Sequence, residues 1–338
     1  MKKIILVALL FLLVGCSKTN YNSVVNVLNW SSYIPDEVIE NFEKEYNIKV
    51  NYGTYSSNEE LLAKVSSSKE GTYDVLFPSD YMVELMIQKD MLLPIDKSKF
   101  VNYKNINSVF LNQEYDRYNR YSLPFLLATT VIAYDSDKVS NISDYNDLLN
   151  EKYKNNIVLL DDERIMIGAF LQATGVNIND YNDDSLNKAL EFYEKLKPNV
   201  KAFDSDSPKT FLITGETDIG ILWNAEAILA RDYNPSVKIA YPESGYALSM
   251  DNYVITKDSK NVSNAYIFID YLLRNEVCEK IIEEYPYIST NKNVSNYTQK
   301  ELNEILKKGS YIKNVDENIK KFDRLWARMK WLIICWIL

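Results

Sequence analysis

Strand-type and helix-type segments alternate along almost the whole chain, and this alternation limits the fold more than any other feature. Residues 24–30 are strand-like. "PDEVIENFEKEYN" then sets Val38, Ile39, Phe42 and Tyr46 at helical spacing, with Pro35 suited to a first helical position. "IKVNYGTY" reads as the next strand, and Ser57 with Glu60 as a capping box opening the helix "NEELLAKVSSSK". "YDVLFPS" is a buried strand and "YMVELMIQKD" a short helix. Repeated β-α units cover strands with helices and give an α/β protein with parallel sheet. No Gly-rich phosphate loop follows these strands, which disfavours a dinucleotide fold.

A second unit follows. "YSLPFLLATTVIAYDS" is extended and long enough to cross between domains. "NIVLLDD" is a strand, "RIMIGAFLQATG" a helix closed by Gly175, and "DSLNKALEFYEKLKP" a helix stopped at Pro198. "TDIGILWN" and "VKIAYPE" are two more strands. "MDNYVIT" and the helices around 262–284 then resume the first pattern. Two α/β lobes joined by more than one crossing predict a hinge and a cleft.

The N-terminus lies outside this fold. Lys2 and Lys3 precede an apolar stretch, Ile4 to Leu13, that is too short for a stable membrane-spanning helix. "LVGC" ends it and resembles the lipobox of bacterial lipoproteins, which implies a signal peptide over 1–15 and lipid on Cys16 as the new N-terminus. Residues 16–23 are a polar anchor linker. The mature protein is expected outside the cell membrane, tethered to it, on the periplasmic side where an outer membrane exists.

Composition removes several classes of function. The chain has no histidine, which excludes Ser-His-Asp and Cys-His nucleophiles and His-ligated zinc. Beyond Cys16 only Cys278 and Cys335 remain, too few for a disulfide framework; Cys278, in an amphipathic helix, reads as a small buried hydrophobe. A net charge of −9 argues against nucleic acid and anionic lipid as partners. Binding, rather than hydrolysis, is the default.

Candidate site residues gather at strand ends, where open α/β sheets take ligands. They are Trp30, Ser31 and Tyr33; Ser79, Asp80 and Tyr81; Asp161 and Asp162; Trp223 and Asn224; Asp251; and Tyr285 and Tyr287. Singly, each has a plainer explanation, since a strand-end Trp usually packs and an Asp after a strand usually caps. As a set they suit an aliphatic cation. Carboxylates offset desolvation of each ammonium, and ring faces add cation–π attraction of about 0.5–2 kcal/mol with apolar contact for methylenes.

Six blocks carry a resemblance over nearly all of 24–326: "NWSSYIP", "YDVLFPSDYMV", "LLDDER", "LKPNVKAFDSDSP", "GILWNAEAILAR" and "MDNYVIT". In this order they resemble the spermidine/putrescine-binding proteins of bacterial polyamine ABC importers (PotD type). The resemblance implies a two-lobed, type II periplasmic-binding-protein fold, with mixed sheets flanked by helices around a hinged cleft. Lobe 1 would be 24–128 with 250–295, and lobe 2 would be 129–249 with 296–326. It implies a monomeric, non-enzymatic receptor without cofactor or metal that delivers polyamine to an ABC permease. Trp30, Tyr33, Tyr81, Trp223 and Tyr287 match aromatic walls, Asp162 and Asp251 amine-binding carboxylates, and Ser31, Ser79 and Ser205 polar lining.

Some positions depart from that pattern. Ser32 and Ile165 stand where spermidine binders often have glutamate, Ser249 replaces a tryptophan, and a glutamine expected near Ile312 is missing. Two matched carboxylates favour a diamine, so putrescine is expected to bind at least as well as spermidine, with Asp80 and Glu226 as the acids that could supply a missing charge. Two further readings stay open: a ferric-ion receptor using tyrosines such as those of "EYPY", and an exported enzyme using Asp161 with Asp162 as acid and base. The tail, 327–338, ends in eight nearly apolar residues, too few to span a membrane.

Overall fold

The computed structural model describes residues 21–314 and 319–337. Cys16 and the leader lie outside the described residues. The chain begins with β1 (Ser23–Trp30), α1 (Asp36–Tyr46), β2 (Ile48–Tyr55), α2 (Asn58–Ser67), β3 (Val75–Leu76) and α3 (Asp80–Gln88). β1 pairs in parallel with both β2 and β3, as the β-α alternation predicts. Pro35 is the N-cap of α1 rather than its first residue, which is Asp36. Ser57 caps α2 by accepting from the Glu60 amide, but the Glu60 carboxylate reaches back to Ser56 rather than to Ser57.

The long segment is β4 (Ser122–Asp135), buried at all fourteen positions. Its first half pairs antiparallel with β9 (Tyr246–Ile255), and from Thr130 it pairs with β7 (Ile219–Trp223) and later β8 (Val237–Ala240). Pro124 lacks the amide hydrogen a ladder needs, and the β4–β9 register shifts between Pro124 and Leu126. Between these strands come β5 (Ile157–Leu159), α4 (Glu163–Ala173), α5 (Asp183–Leu196), β6 (Val200–Phe203) and α6 (Lys209–Ile213). α7 (Asn224–Tyr233) leaves directly from β7. The main strand order is β2-β1-β3-β9-β4-β7-β5-β6, one mixed, curled sheet flanked by helices.

The apolar core is divided along that sheet. One cluster gathers Val25, Val38, Phe42, Phe77, Phe125 and Tyr253 with α8 (Val262–Leu272) and α9 (Asn275–Glu284). Another gathers Ile132, Ile157, Phe170, Tyr193 and Ile219 with Phe322 and Met329. The second pair belongs to α11 (Ile319–Ile337), which packs on α4 and α5. The helix runs through residue 327, where the sequence suggests a separate tail, and Met329 is fully buried. Among the described residues, no helix is long and apolar enough to cross a membrane. Between α9 and α11 lie β10 (Ile288–Ser289), α10 (Gln299–Lys308) and β11 (Gly309–Tyr311). α10 contributes to a cluster containing Phe110, Leu127, Met250 and Ile288, where β4 and β9 cross. Cys278 is half-buried rather than fully enclosed, with its thiol 3.2 Å from the Leu272 carbonyl.

Candidate functional site

The two main cores face each other across a cavity of about 330 Å3, at the small end of ligand pockets. Trp30, Ser31, Tyr33, Ser79, Asp80, Tyr81, Asp162, Ser205, Trp223, Glu226, Asp251 and Tyr287 all line it. They come from the ends of β1, β5, β6 and β7, from the segment after β3, from the first turn of α7 and from the chain before β10, while Asp251 sits in the middle of β9 rather than at the strand end that the sequence suggests. Asn224 and Tyr285 do not line it. Asn224 instead accepts from the Thr129 amide, at the point where β4 changes partners.

Trp30 ends β1, and a tight turn with Ser32 at φ 56° follows. That left-handed backbone is uncommon for serine. Trp30 donates its indole N–H to the Phe77 carbonyl at 3.0 Å and packs its ring 4.6 Å from Tyr55. Tyr33 lies 4.8 Å from Tyr287 between ring centres, both nearly buried. Trp223 is half-buried and packs against both cores. These rings therefore pack, as the plainer reading expects, while also walling the cavity.

Asp251 is the most enclosed of the expected amine-binding carboxylates, 3% exposed. It accepts from the Tyr33 hydroxyl at 2.6 Å and the Ser79 hydroxyl at 2.7 Å. A backbone bridge between Ser79 and Asp251 sets this register. Burial pushes its carboxyl up to about 7, and the two hydroxyls oppose the rise by stabilising the anion. Asp162 is half-buried at the N-cap of α4, where its Oδ1 accepts from the Arg164 and Ile165 amides, each at 3.0 Å. Burial raises it to about 6 against those bonds. Among the described residues its Oδ2 accepts no hydrogen bond and is free for a ligand.

Asp161 and Asp162, adjacent in sequence, both line the cavity but differ in their partners. Asp161 accepts from Lys330 of α11 at 2.6 and 2.8 Å, so the pair is not a converging acid and base. Asp80 is 2% exposed; its Oδ1 accepts the Tyr81 amide, and among the described residues its Oδ2 meets no hydrogen-bond donor at bonding distance. Burial first, and Asp251 as a nearby like charge, hold it well above the ordinary carboxylate range. Glu226 is already compensated, with both oxygens bound by Lys209 at 2.8 and 3.0 Å. Among the described residues the buried Ser205 hydroxyl has no hydrogen-bond partner.

Arg164 is the main residue that sequence reasoning missed. It is 4% exposed, its guanidinium lies 4.3 Å from the Tyr81 ring centre, and Nη2 pairs with Glu59 at 3.2 Å. One ring face expected to meet a ligand cation therefore already meets an internal one. Its place inside "LLDDER" was the only available signal. The wall also contains Glu59, Glu163, Asp206, Asp323 and Trp326, in addition to the two carboxylates on which the diamine expectation rests. Among the described residues, no three Cys, Asp or Glu side chains converge closely enough to hold a metal ion.

The site is thus a cleft of aromatic walls and separated acids between two α/β cores. The family described as bacterial extracellular solute-binding protein matches residues 37–307. The spermidine/putrescine-binding periplasmic protein of Salmonella typhimurium is 36% identical over 80% of this chain and 78% of its own. Spermidine/putrescine-binding periplasmic protein 1 of Haemophilus influenzae is 32% identical over 91% of this chain and 89% of its own. The solved structure of the spermidine/putrescine ABC transporter substrate-binding protein PotD from Streptococcus pneumoniae matches with a TM-score of 0.79. It is 29% identical and covers 91% of this chain and 99% of that one. With its fold and most of its length so matched, the chain belongs to the bacterial extracellular solute-binding protein family.

Proposed function

We propose that this protein is an extracytoplasmic polyamine receptor that captures putrescine or spermidine between its lobes and delivers it to an ABC permease. The observation that carries this reading is Asp251, a buried carboxylate facing an aromatic-walled cavity that also holds the free Oδ2 of Asp162. Burying an ionised carboxylate is costly unless a cation joins it. An alkylammonium with methylenes suits both the acids and the rings, and the relatives named for spermidine and putrescine support that ligand class. Asp161 bound to Lys330 speaks against the acid–base enzyme reading, and Tyr285 of "EYPY" lying outside the cavity wall speaks against a tyrosine-ligated ferric site.

Closure would occur about β4 and β9, with lobe 1 as 24–128 with 250–295 and lobe 2 as 129–249 with 296–326. The change of β4 partners at Thr129–Thr130 supports this hinge. Anchoring through lipid on Cys16, a monomeric state and a purely non-enzymatic role complete the reading. A thermal-shift screen against polyamines, metal ions and sugars tests it. A ligand present at about 100 times its Kd stabilises the native state by about 2.7 kcal/mol. Polyamines alone should raise the melting temperature; no shift with putrescine or spermidine would overturn the reading.

A further inference from the structure

Between α3 and β4 the chain runs through residues 97–121 as a series of short turns, and none of these residues lines the cleft. Of the four large apolar side chains that stand exposed among the described ones, three belong to this segment: Val101, Val109 and Tyr118. Tyr118 is 78% exposed, and its backbone is left-handed, with φ 67°. That conformation is an outlier for a bulky residue and persists only where the surroundings impose it. Here a hydrogen-bonded frame imposes it. The buried Asp116 carboxylate accepts from the Arg120, Tyr121 and Ser122 amides at 3.0, 2.9 and 2.7 Å, and from the Ser122 hydroxyl at 2.7 Å. The buried Asn119 side chain accepts from the Asn112 amide at 2.8 Å. The Tyr118 ring is thus held out into solvent by a strained turn pinned to the first residue of β4.

The same segment is basic, on a chain whose net charge is −9. Among the described residues, Lys97, Lys99, Lys104, Arg117 and Arg120 make no ion pair, whereas its acids are engaged: Glu114 pairs with Lys313 at 3.2 Å and Asp116 faces inward. Lys97 gathers the patch, since its ammonium lies 5.9 Å from the Tyr103 ring centre and donates to the Tyr118 carbonyl. Gln113 donates to the Val109 carbonyl at 3.0 Å, which brings Val109 to the same turn.

Resting on the polyamine reading, we propose that residues 97–121 form a docking surface for the ABC permease, with Tyr118 as its anchor and the unpaired cations facing carboxylates on the permease's outer face. Tyrosine and arginine are the side chains that most often dominate interface energies. A ring fixed before contact loses little freedom on docking, which is what the strained turn supplies. Such a preset ring fits a socket of fixed shape in a protein rather than fluid lipid. Unpaired cations steer approach toward a surface of opposite charge.

The test is polyamine uptake by the cells of origin, counted as the part lost on deleting the gene, alongside calorimetric affinity and melting temperature of each mature chain. Asparagine accepts a left-handed backbone, so Tyr118→Asn removes the ring without adding strain. It should cut uptake by at least about fivefold, while the dissociation constant stays within about twofold and the melting temperature does not fall. Arg117→Glu should also cut uptake with affinity unchanged. Tyr233→Asn, which removes another exposed ring at the end of α7, should leave uptake at the wild-type level. Wild-type uptake in both Tyr118→Asn and Arg117→Glu, or matching losses of uptake and affinity, would overturn the proposal and leave polyamine binding intact. Flotation of an unlipidated chain beginning at Ser17 with phosphatidylglycerol vesicles separates protein from lipid. Vesicle binding that Arg117→Glu abolishes would assign the patch to lipid and overturn the permease assignment. Wild type that binds no polyamine, or binds it without gene-dependent uptake, would overturn the receptor reading and this inference with it.

Discussion

Replacing Asp251 with asparagine should move ligand affinity and ligand-free stability in opposite directions. The carboxyl is 3% exposed and raised to about 7 in the folded cleft. An unfolded aspartate titrates near about 3.9, and each tenfold change in proton affinity is about 1.4 kcal/mol, so burying the charged form costs about 4 kcal/mol. Between these two pKa values the folded state keeps a proton that the unfolded chain releases. Stability contributed by this group therefore falls as pH rises from about 4 to about 7 and levels off above that. Asparagine carries no charge and escapes the cost, but it pairs imperfectly with Tyr33 and Ser79, a loss of about 1 kcal/mol. Urea denaturation without ligand should find Asp251→Asn more stable than wild type by about 1–3 kcal/mol at pH 8, with the gain gone at pH 5. Calorimetry should find polyamine affinity reduced at least about 30-fold, from roughly 2–5 kcal/mol lost on truncating a buried charge pair. In wild type the ligand pairs with the ionised form, so affinity should rise with pH up to about 7, and the variant should lose the upper part of that rise. A variant destabilised at both pH values with unchanged affinity would refute the reasoning and make Asp251 a structural acid.

Trp223→Ala should cost about 1–3 kcal/mol of binding beyond any fall in melting temperature; a loss of stability without an affinity defect would make the ring a packing residue only. Arg164→Met should leave ligand-free stability within about 1 kcal/mol of wild type, because Nε and Nη1 are buried without partners and offset the stacking on Tyr81. Urea denaturation showing a loss above about 3 kcal/mol would contradict that balance. Cys16→Ser should release soluble protein or leave an uncleaved precursor, and mass spectrometry finding an unmodified Cys16 at the wild-type N-terminus would reject the anchor.

Local chemistry made much of this protein legible from sequence alone. The β-α alternation of residues 24–88 is set by side-chain periods of 2 and 3.6, which need no knowledge of distant contacts. The caps Ser57 and Asp162 bond amides two or three residues onward, and Trp30, Tyr81 and Trp223 reach one cavity because strand ends of an α/β sheet share an edge. Charge compensation was not legible, because counterions come from elements far apart in the chain. Only tertiary structure decided that Asp161 belongs to Lys330 while Asp162 keeps a free oxygen, and that Lys209 neutralises Glu226. The same holds for Arg164 on the Tyr81 ring. Electrostatic energy depends on distance and burial in space rather than on separation along the chain, so the acids could be named from sequence but not their states.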